Sequence, residues 1–375
     1  MVAERRPDRS PRRGASATFD IVGHAFLFAM GAWFGNRKVR MGGIASVAVA
    51  LEARGLGVGT GLLNDLHVRS HARGDALTML YPFRQGYYAR LGYGPTTSRR
   101  RLAFDPASVP ASWRALAIDG VGRLRAEDRE AVTRVYERAA RRTSGWIERS
   151  ANAWERRFMR ERVEYLIVRT SAGGPTGYVA FTIAQEEPHA ETKVLVEELV
   201  SMDDRARRAL LGALGGLRDQ IASIELEVDA TDALELALVD PDARRHGTEI
   251  VEHDLGTIVG GPMVRIDGSA EGIVRAIEAR GYLTDGRLDL VVVPELDAKE
   301  TLALSIRVER GRARARASRG AALRVPRRAL ASVLYGGLLP SAAVRLGLAE
   351  CDDPRALARA DALLAIPPLA PVEPF

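Results

Sequence analysis

The chain has 375 residues, too many for one ordinary core, so two or three domains of roughly 100–150 residues are expected. Apolar residues make up 46% and charged residues 27%, a soluble globular balance that excludes general disorder. The net charge is +6, yet Arg5, Arg6, Arg9, Arg12 and Arg13 crowd the first thirteen residues and the rest is close to neutral. That arm reads as a solvated basic tail, and no nucleic-acid partner is expected. Cys351 is the only cysteine, so neither an intrachain disulfide nor a cysteine-based zinc site can form, which fits a cytoplasmic protein.

Ile21 to Phe34 is apolar but is bounded by Asp20 and broken by His24, and it falls short of the ~20 residues that span a bilayer. It reads as core, and no membrane contact is expected. Residues 26–50 are expected to form two or three strands with a turn at Gly35-Asn36. A glycine-dense loop at 55–61 precedes a helix with Leu62, Leu63 and Leu66 on one face, stopping near Gly74. Ala76 to Tyr81 reads as a strand, and Phe83 to Arg90 as a short helix ended by Gly92. Pro106 to Asp119 reads as a linker.

A helix over about 126–142 follows, with Val132, Val135, Tyr136, Ala139 and Ala140 at helical spacing. Strands at 163–170 and 178–184, a strand ending near Met202, a helix over 206–222 and the strand Ile224 to Val228 repeat the order of the first block. Setting Val47-Ala48-Val49 against Leu199-Val200-Ser201 places the glycine loop opposite residues 202–208, which lack glycines and carry Asp203 and Asp204. The second block reads as a duplicate that no longer holds a nucleotide. From about Gly261 the pattern is α+β: strands at 263–266, 287–293, 302–309 and 312–317, with helices at 270–280, near 328–345 and at 354–364. The tail, 366–375, is proline-rich, a stiff extended arm.

Chemistry concentrates in Arg54-Gly55-Leu56-Gly57-Val58-Gly59-Thr60. Unpaired amides at a helix N-terminus favour an anion, glycines let the backbone approach phosphates closely, and Arg54 adds a planar cation. The dinucleotide spacing G-x-G-x-x-G fails, because Thr60 and Leu62 stand where a third glycine is needed; no Gly-Lys-Ser/Thr follows for a P-loop. His67 and His71 are four apart on the helix, but they have no phased carboxylate and are crowded by Arg69 and Arg73. That face reads as solvated, with no metal site expected. No Gly-x-Ser-x-Gly elbow is present.

The R-x-x-G-x-G loop, set after Ala45-Ser46-Val47-Ala48-Val49 and before a helix, resembles the signature of the GCN5-related N-acetyltransferases. The segment Leu80-Tyr81-Pro82-Phe83-Arg84-Gln85-Gly86-Tyr87-Tyr88-Ala89-Arg90-Leu91-Gly92-Tyr93 narrows the likeness to the Eis type, named for enhanced intracellular survival. The resemblance covers nearly the whole chain, which also ends on an aromatic residue as that family does. It implies tandem α/β acetyltransferase domains, the first N-terminally shortened and the second inert, plus an α+β sterol-carrier-like C-terminal domain, divided as 1–108, 109–256 and 257–375.

The resemblance further implies acetyl-CoA as cosubstrate, a small-molecule amine acceptor (aminoglycoside-, polyamine- or lysine-like) and a homo-oligomer, a hexamer. It puts the acid that protonates the departing thiolate on Tyr88 and the base on the α-carboxylate of Phe375. Backbone at Val47, Ala48 and Val49 would align the pantetheine arm, and amides from Leu56 to Thr60 would bind the diphosphate. Two other readings stand beside this one: a non-catalytic CoA-binding sensor or scaffold, and a lipid carrier acting through the C-terminal domain.

Overall fold

The computed structural model describes residues 1–5, 20–170, 173–185, 191–242, 254–294, 301–320 and 322–370. It divides into two compact units, one of Met1–Thr97, Ser144–Ile147 and Gly261–Phe375, the other of Ser98–Thr143 and Glu148–Gly260. The second is an insertion in the first.

The first unit opens with β1 (Val2–Arg5), β2 (Asp20–Phe34) and β3 (Arg37–Val49). The apolar run at 21–34 is a strand that begins earlier than expected, at Asp20, and the core expectation holds for only part of it: Val22, Ala25, Ala32 and Phe34 are buried, whereas Ile21, Phe26 and Phe28 are exposed. Gly35 and Asn36 join β2 to β3 with φ of 57° and 67°, the two left-handed residues that a tight hairpin needs. Helix α1 (Val58–Arg73) packs Leu62, Leu63 and Leu66 with Ala25 and Ile44, and stops at Gly74, whose φ of 82° closes the helix end. Then come β4 (Leu77–Leu80), α2 (Gln85–Ala89) and β5 (Gly94–Pro95). Strand β4 runs parallel to β3, yet the two pair only through Met41, Gly42 and Gly43 with Leu77, Thr78 and Met79. Beyond that point β3 continues to Val49 without β4, which leaves an open wedge.

The second unit takes β6 (Arg99–Phe104), α3 (Ala111–Gly120), β7 (Val121–Arg123), α4 (Arg129–Ala140), α5 (Ala151–Phe158), β8 (Glu164–Arg169), β9 (Pro175–Gln185), β10 (Thr192–Ser201), α6 (Asp204–Gly215), β11 (Ser223–Asp229) and β12 (Gly256–Val259). The linker expected at 106–119 is instead a 3-10 turn followed by α3. Helix α3 lies so close to α6 that a Cβ on Gly212 would stand 2.0 Å from the carbonyl oxygen of Trp113. Helix α6 ends at Gly215, short of the expected 222. The seven strands are ordered β12-β6-β11-β10-β9-β8-β7. Parallel pairing of β10 with β11 covers only Lys193–Val196, so this unit repeats the wedge of the first. Here Asp203 accepts a hydrogen bond from the amide of Ala206 at 2.8 Å and caps α6 with the chain's own carboxylate.

Strand β13 (Met263–Arg265) returns to the first unit and inserts between β4 and β5, antiparallel to both. After α7 (Ala270–Ala279) come β14 (Gly286–Val293), β15 (Leu302–Glu309), β16 (Arg312–Ala317) and β17 (Leu323–Pro326), in the order β16-β15-β14-β17. Helices α8 (Arg327–Tyr335), α9 (Pro340–Arg345) and α10 (Pro354–Leu364) close the fold. The single helix expected over 328–345 is broken, because Gly337 takes a φ of 77° and Pro340 starts a new helix. The fully buried Arg280 donates to the carbonyls of Leu334 (2.8 Å), Leu364 (3.1 Å) and Ala365 (2.7 Å), satisfying the C-terminal ends of α8 and α10. Among the described residues no helix is long and apolar enough to cross a membrane.

Candidate functional site

A cleft of about 730 Å³ occupies the wedge of the first unit, within the size range of small-molecule and cofactor sites. Val47, Ala48 and Val49 line it from the strand, and Arg54, Gly55, Gly57, Val58, Gly59 and Thr60 from the loop and first helical turn. The strand's direction follows from one hydrogen bond. The amide of Ala50 donates to the carbonyl of Val22 on β2 (2.9 Å), so alternation turns the backbone of Val49 and Val47 toward the edge that β4 has left. Those groups are free to pair with an extended amide-bearing ligand.

The loop is built to hold an anion. Gly55 and Gly57 both have φ of 80°, and a Cβ built on either would meet nothing within 4 Å. They are glycines for their conformation and for the open surface above them. Gly57 is the N-cap of α1 and offers no side-chain cap, and no acidic residue sits in the first turn. The early amides of α1 therefore keep their partial positive charge for a ligand. A coenzyme diphosphate fits this cradle.

Leu56 departs from the group. It is 65% exposed, does not line the cleft, and its amide turns back to the carbonyl of Ala53 at 3.4 Å.

Two aromatic residues that the sequence reading left out, Phe83 and Tyr87, line the same cleft. Phe83 lies in the turn before α2 and Tyr87 within the helix, with their rings 5.9 Å apart. Tyr88 is buried beside them, with its ring edge-on to Tyr87 at 5.1 Å, to Phe83 at 5.6 Å and to Tyr93 at 5.9 Å. Burial, and then the neighbouring Tyr87, push the Tyr88 phenol up from its ordinary value, so it keeps its proton throughout the neutral range. It does not line the cleft as Tyr87 does. Phe375, the other residue expected to act, lies outside the described residues, as does the Glu373 near it.

His67 corrects the expectation of a solvated face. It is buried, with Nε2 2.9 Å from the hydroxyl of Tyr93, which also meets Oγ1 of Thr78 at 3.1 Å. The reason is helical phase: His67 falls on the side of α1 that carries Leu63, Leu66 and Ser70 into the core. Burial, reinforced by the Arg265 guanidinium and only partly opposed by Asp267, lowers its pKa to about 3. His71, four residues on, is half-buried and lies 3.5 Å from Asp267. Among the described residues no cluster of three potential metal ligands forms.

In the C-terminal part of the first unit, a smaller cleft of about 140 Å³ lies among Gly268, Ile273, Val292 and Arg327. It is below the size of a lipid-sized pocket.

Residues 2–96 and 145–266 each match an acetyltransferase (GNAT) domain family, and residues 273–372 match the sterol carrier protein domain family. The chain is 25% identical to the N-acetyltransferase Eis of Mycobacterium bovis over 94% of this chain and 85% of that protein. Its fold is shared by Eis1 from Mycobacterium abscessus, with a TM-score of 0.74 and 23% identity over 96% of this chain and 90% of that one. A GCN5-related N-acetyltransferase from Anabaena variabilis matches with a TM-score of 0.75 and 21% identity over 94% and 86% of the two chains. The chain is an acetyl-CoA-dependent N-acetyltransferase with two acetyltransferase (GNAT) domains and a sterol carrier protein domain in that order, similar along its length to the N-acetyltransferase Eis.

Proposed function

We propose that this cleft binds acetyl-CoA and that the enzyme passes the acetyl group directly to a small-molecule amine of aminoglycoside, polyamine or lysine type. One observation carries the reading: the wedge between β3 and β4 opens onto an uncapped, glycine-lined helix N-terminus. The loop amides and Arg54 would hold the diphosphate, and the backbone of Val47 and Val49 would align the pantetheine arm. Acetyl-CoA supplies an activated thioester, and no covalent intermediate on the protein is needed.

Tyr88 takes the acid role in this reading. A thiol has a reference pKa of ~8.5 and a phenol ~10, so complete transfer from Tyr88 to the sulfur runs uphill. With its pKa raised further, Tyr88 acts by donating a hydrogen bond to the sulfur as charge develops there. The α-carboxylate of Phe375, ionised at neutral pH from a reference value of ~3.5, takes a proton from the acceptor ammonium, and the freed amine lone pair then attacks the thioester carbonyl. Homo-oligomer assembly belongs to the same reading and is checked by light scattering.

The test is acetyl-CoA turnover with a panel of polyamines and aminoglycosides, comparing wild type with Tyr88→Phe and with a chain lacking Phe375. Loss of kcat by about 10²-fold or more in both variants is expected. Equal rates in all three would reject the assignment of acid and base.

A further inference from the structure

The geometry points to Tyr87 as a coenzyme-binding residue that the family signature does not name: its hydroxyl donates a hydrogen bond to a coenzyme oxygen beside the diphosphate, and the Phe83 ring next to it covers the apolar stem. This rests on the reading of the cleft as the acetyl-CoA site.

Gly59 sits in the first turn of α1. Its φ is not in the left-handed region, so backbone strain does not explain the glycine. Space does: a Cβ there would stand 2.8 Å from the hydroxyl oxygen of Tyr87 and 3.5 Å from a methyl of Val49. The absent side chain lets the phenol lie directly against the first turn of α1. That is where the amides of Val58, Gly59 and Thr60 lack intrahelical partners.

The phenol is held in this direction from several sides. Tyr88 meets it edge-on with ring centroids 5.1 Å apart, Phe83 lies at 5.9 Å, and the Arg90 guanidinium stands 6.0 Å from its centroid. Yet among the described residues its hydroxyl has no hydrogen-bond partner. A rigidly held donor, next to unpaired amides and facing a cleft, suits an oxygen-rich anionic ligand. Phe83 completes the picture. It is 75% exposed while lining that cleft, an uncovered aromatic face where the pantetheine methylenes can pack. Tyr88 lies behind this wall in the buried cluster, so the two adjacent tyrosines divide between holding the coenzyme and serving the sulfur.

Calorimetric titration with CoA tests this on four proteins: wild type, Tyr87→Phe, Phe83→Ala and Gly57→Glu. Tyr87→Phe should weaken binding about tenfold, and Phe83→Ala about fivefold. Gly57→Glu should abolish the heat of binding. The melting temperatures of Tyr87→Phe and Phe83→Ala without ligand should stay within about 3 °C of wild type, since only the accessible wall changes, whereas Gly57→Glu also strains a left-handed position and should melt lower. If Tyr87→Phe binds CoA within twofold of wild type while Gly57→Glu is silent, the Tyr87 inference is overturned and the cleft reading survives. If Gly57→Glu binds as wild type, both fall together.

Discussion

Nε2 of His67 and the hydroxyl of Tyr93 meet at 2.9 Å in the core of the first unit, and burial keeps that imidazole uncharged. The folded pKa of about 3 lies below the unfolded value of 6.5. The unfolded chain therefore binds a proton between those values that the native protein does not. The stabilisation is fully present above pH 6.5 and is lost as the pH falls toward 3. His67→Gln keeps a hydrogen-bonding group but cannot titrate. Its unfolding free energy should lose about one proton of pH dependence in this window, ~1.4 kcal/mol per pH unit, read from denaturant titrations at pH 7, 6, 5 and 4. An unchanged slope would show that His67 is not the titrating group.

Gly212 concerns packing rather than charge. Its missing Cβ lets α6 touch the backbone of α3, 2.0 Å from the Trp113 carbonyl oxygen. Gly212→Ala should destabilise by about 1–3 kcal/mol despite alanine's better helix propensity, because backbone cannot rotate out of the way. Gly61→Ala, where a Cβ meets nothing within 4 Å, is the control and should be neutral or slightly stabilising. Thermal melts of both decide it.

Glu198 lies at the wedge of the second unit. It accepts from Nη1 of Arg149 at 3.1 Å, from the Tyr178 hydroxyl at 2.8 Å and from Arg157 at 3.4 Å. Burial alone would raise its pKa, but Arg149, then Arg157 and Tyr178, hold it below the ordinary carboxylate value. The Arg149 guanidinium also stacks on Tyr136 at 3.9 Å and on Trp154 at 4.7 Å. Glu198→Ala would leave that cation buried without its carboxylate and should cost about 3–5 kcal/mol. A loss below 1 kcal/mol by denaturant unfolding would mean the pair is not maintained in solution.

The two wedges should differ in ligand uptake. Gly57 leaves α1 open to an anion, whereas Asp203 caps α6 from within. Calorimetry should give one CoA per chain. Asp203→Ala should lower stability by about 1 kcal/mol without creating a second site, because Asp204 still stands in the first turn of α6 and would repel phosphate. A stoichiometry of two would contradict this.

Much of the first block was legible in the sequence, because the signals there are local. Glycine spacing marked the loop that lines the cleft, and apolar phase marked α1. The pairing of Val47-Ala48-Val49 with Leu199-Val200-Ser201 exposed the duplicated order. What sequence missed depends on contacts between distant residues. Residues 106–119 look like a linker because Trp113 and Leu116 become apolar anchors only against α6. His67 looks solvated beside Arg69 until Tyr93, 26 residues later, supplies its partner. Phe83 and Tyr87 passed unmarked because an aromatic run gives no sign of which ring faces a cleft. The break at Gly336-Gly337 was readable, since a glycine pair followed by Pro340 argues against one continuous helix.

The three residues of β13 set an order of events during synthesis. They fill the gap between β4 and β5, yet the ribosome makes them only after the whole inserted unit of 98–260 has emerged. The first unit's sheet must therefore wait, with the edge of β4 uncovered, while its own insertion has time to fold. A nascent chain stalled before residue 263 should be sensitive to protease in its first hundred residues and protected further along.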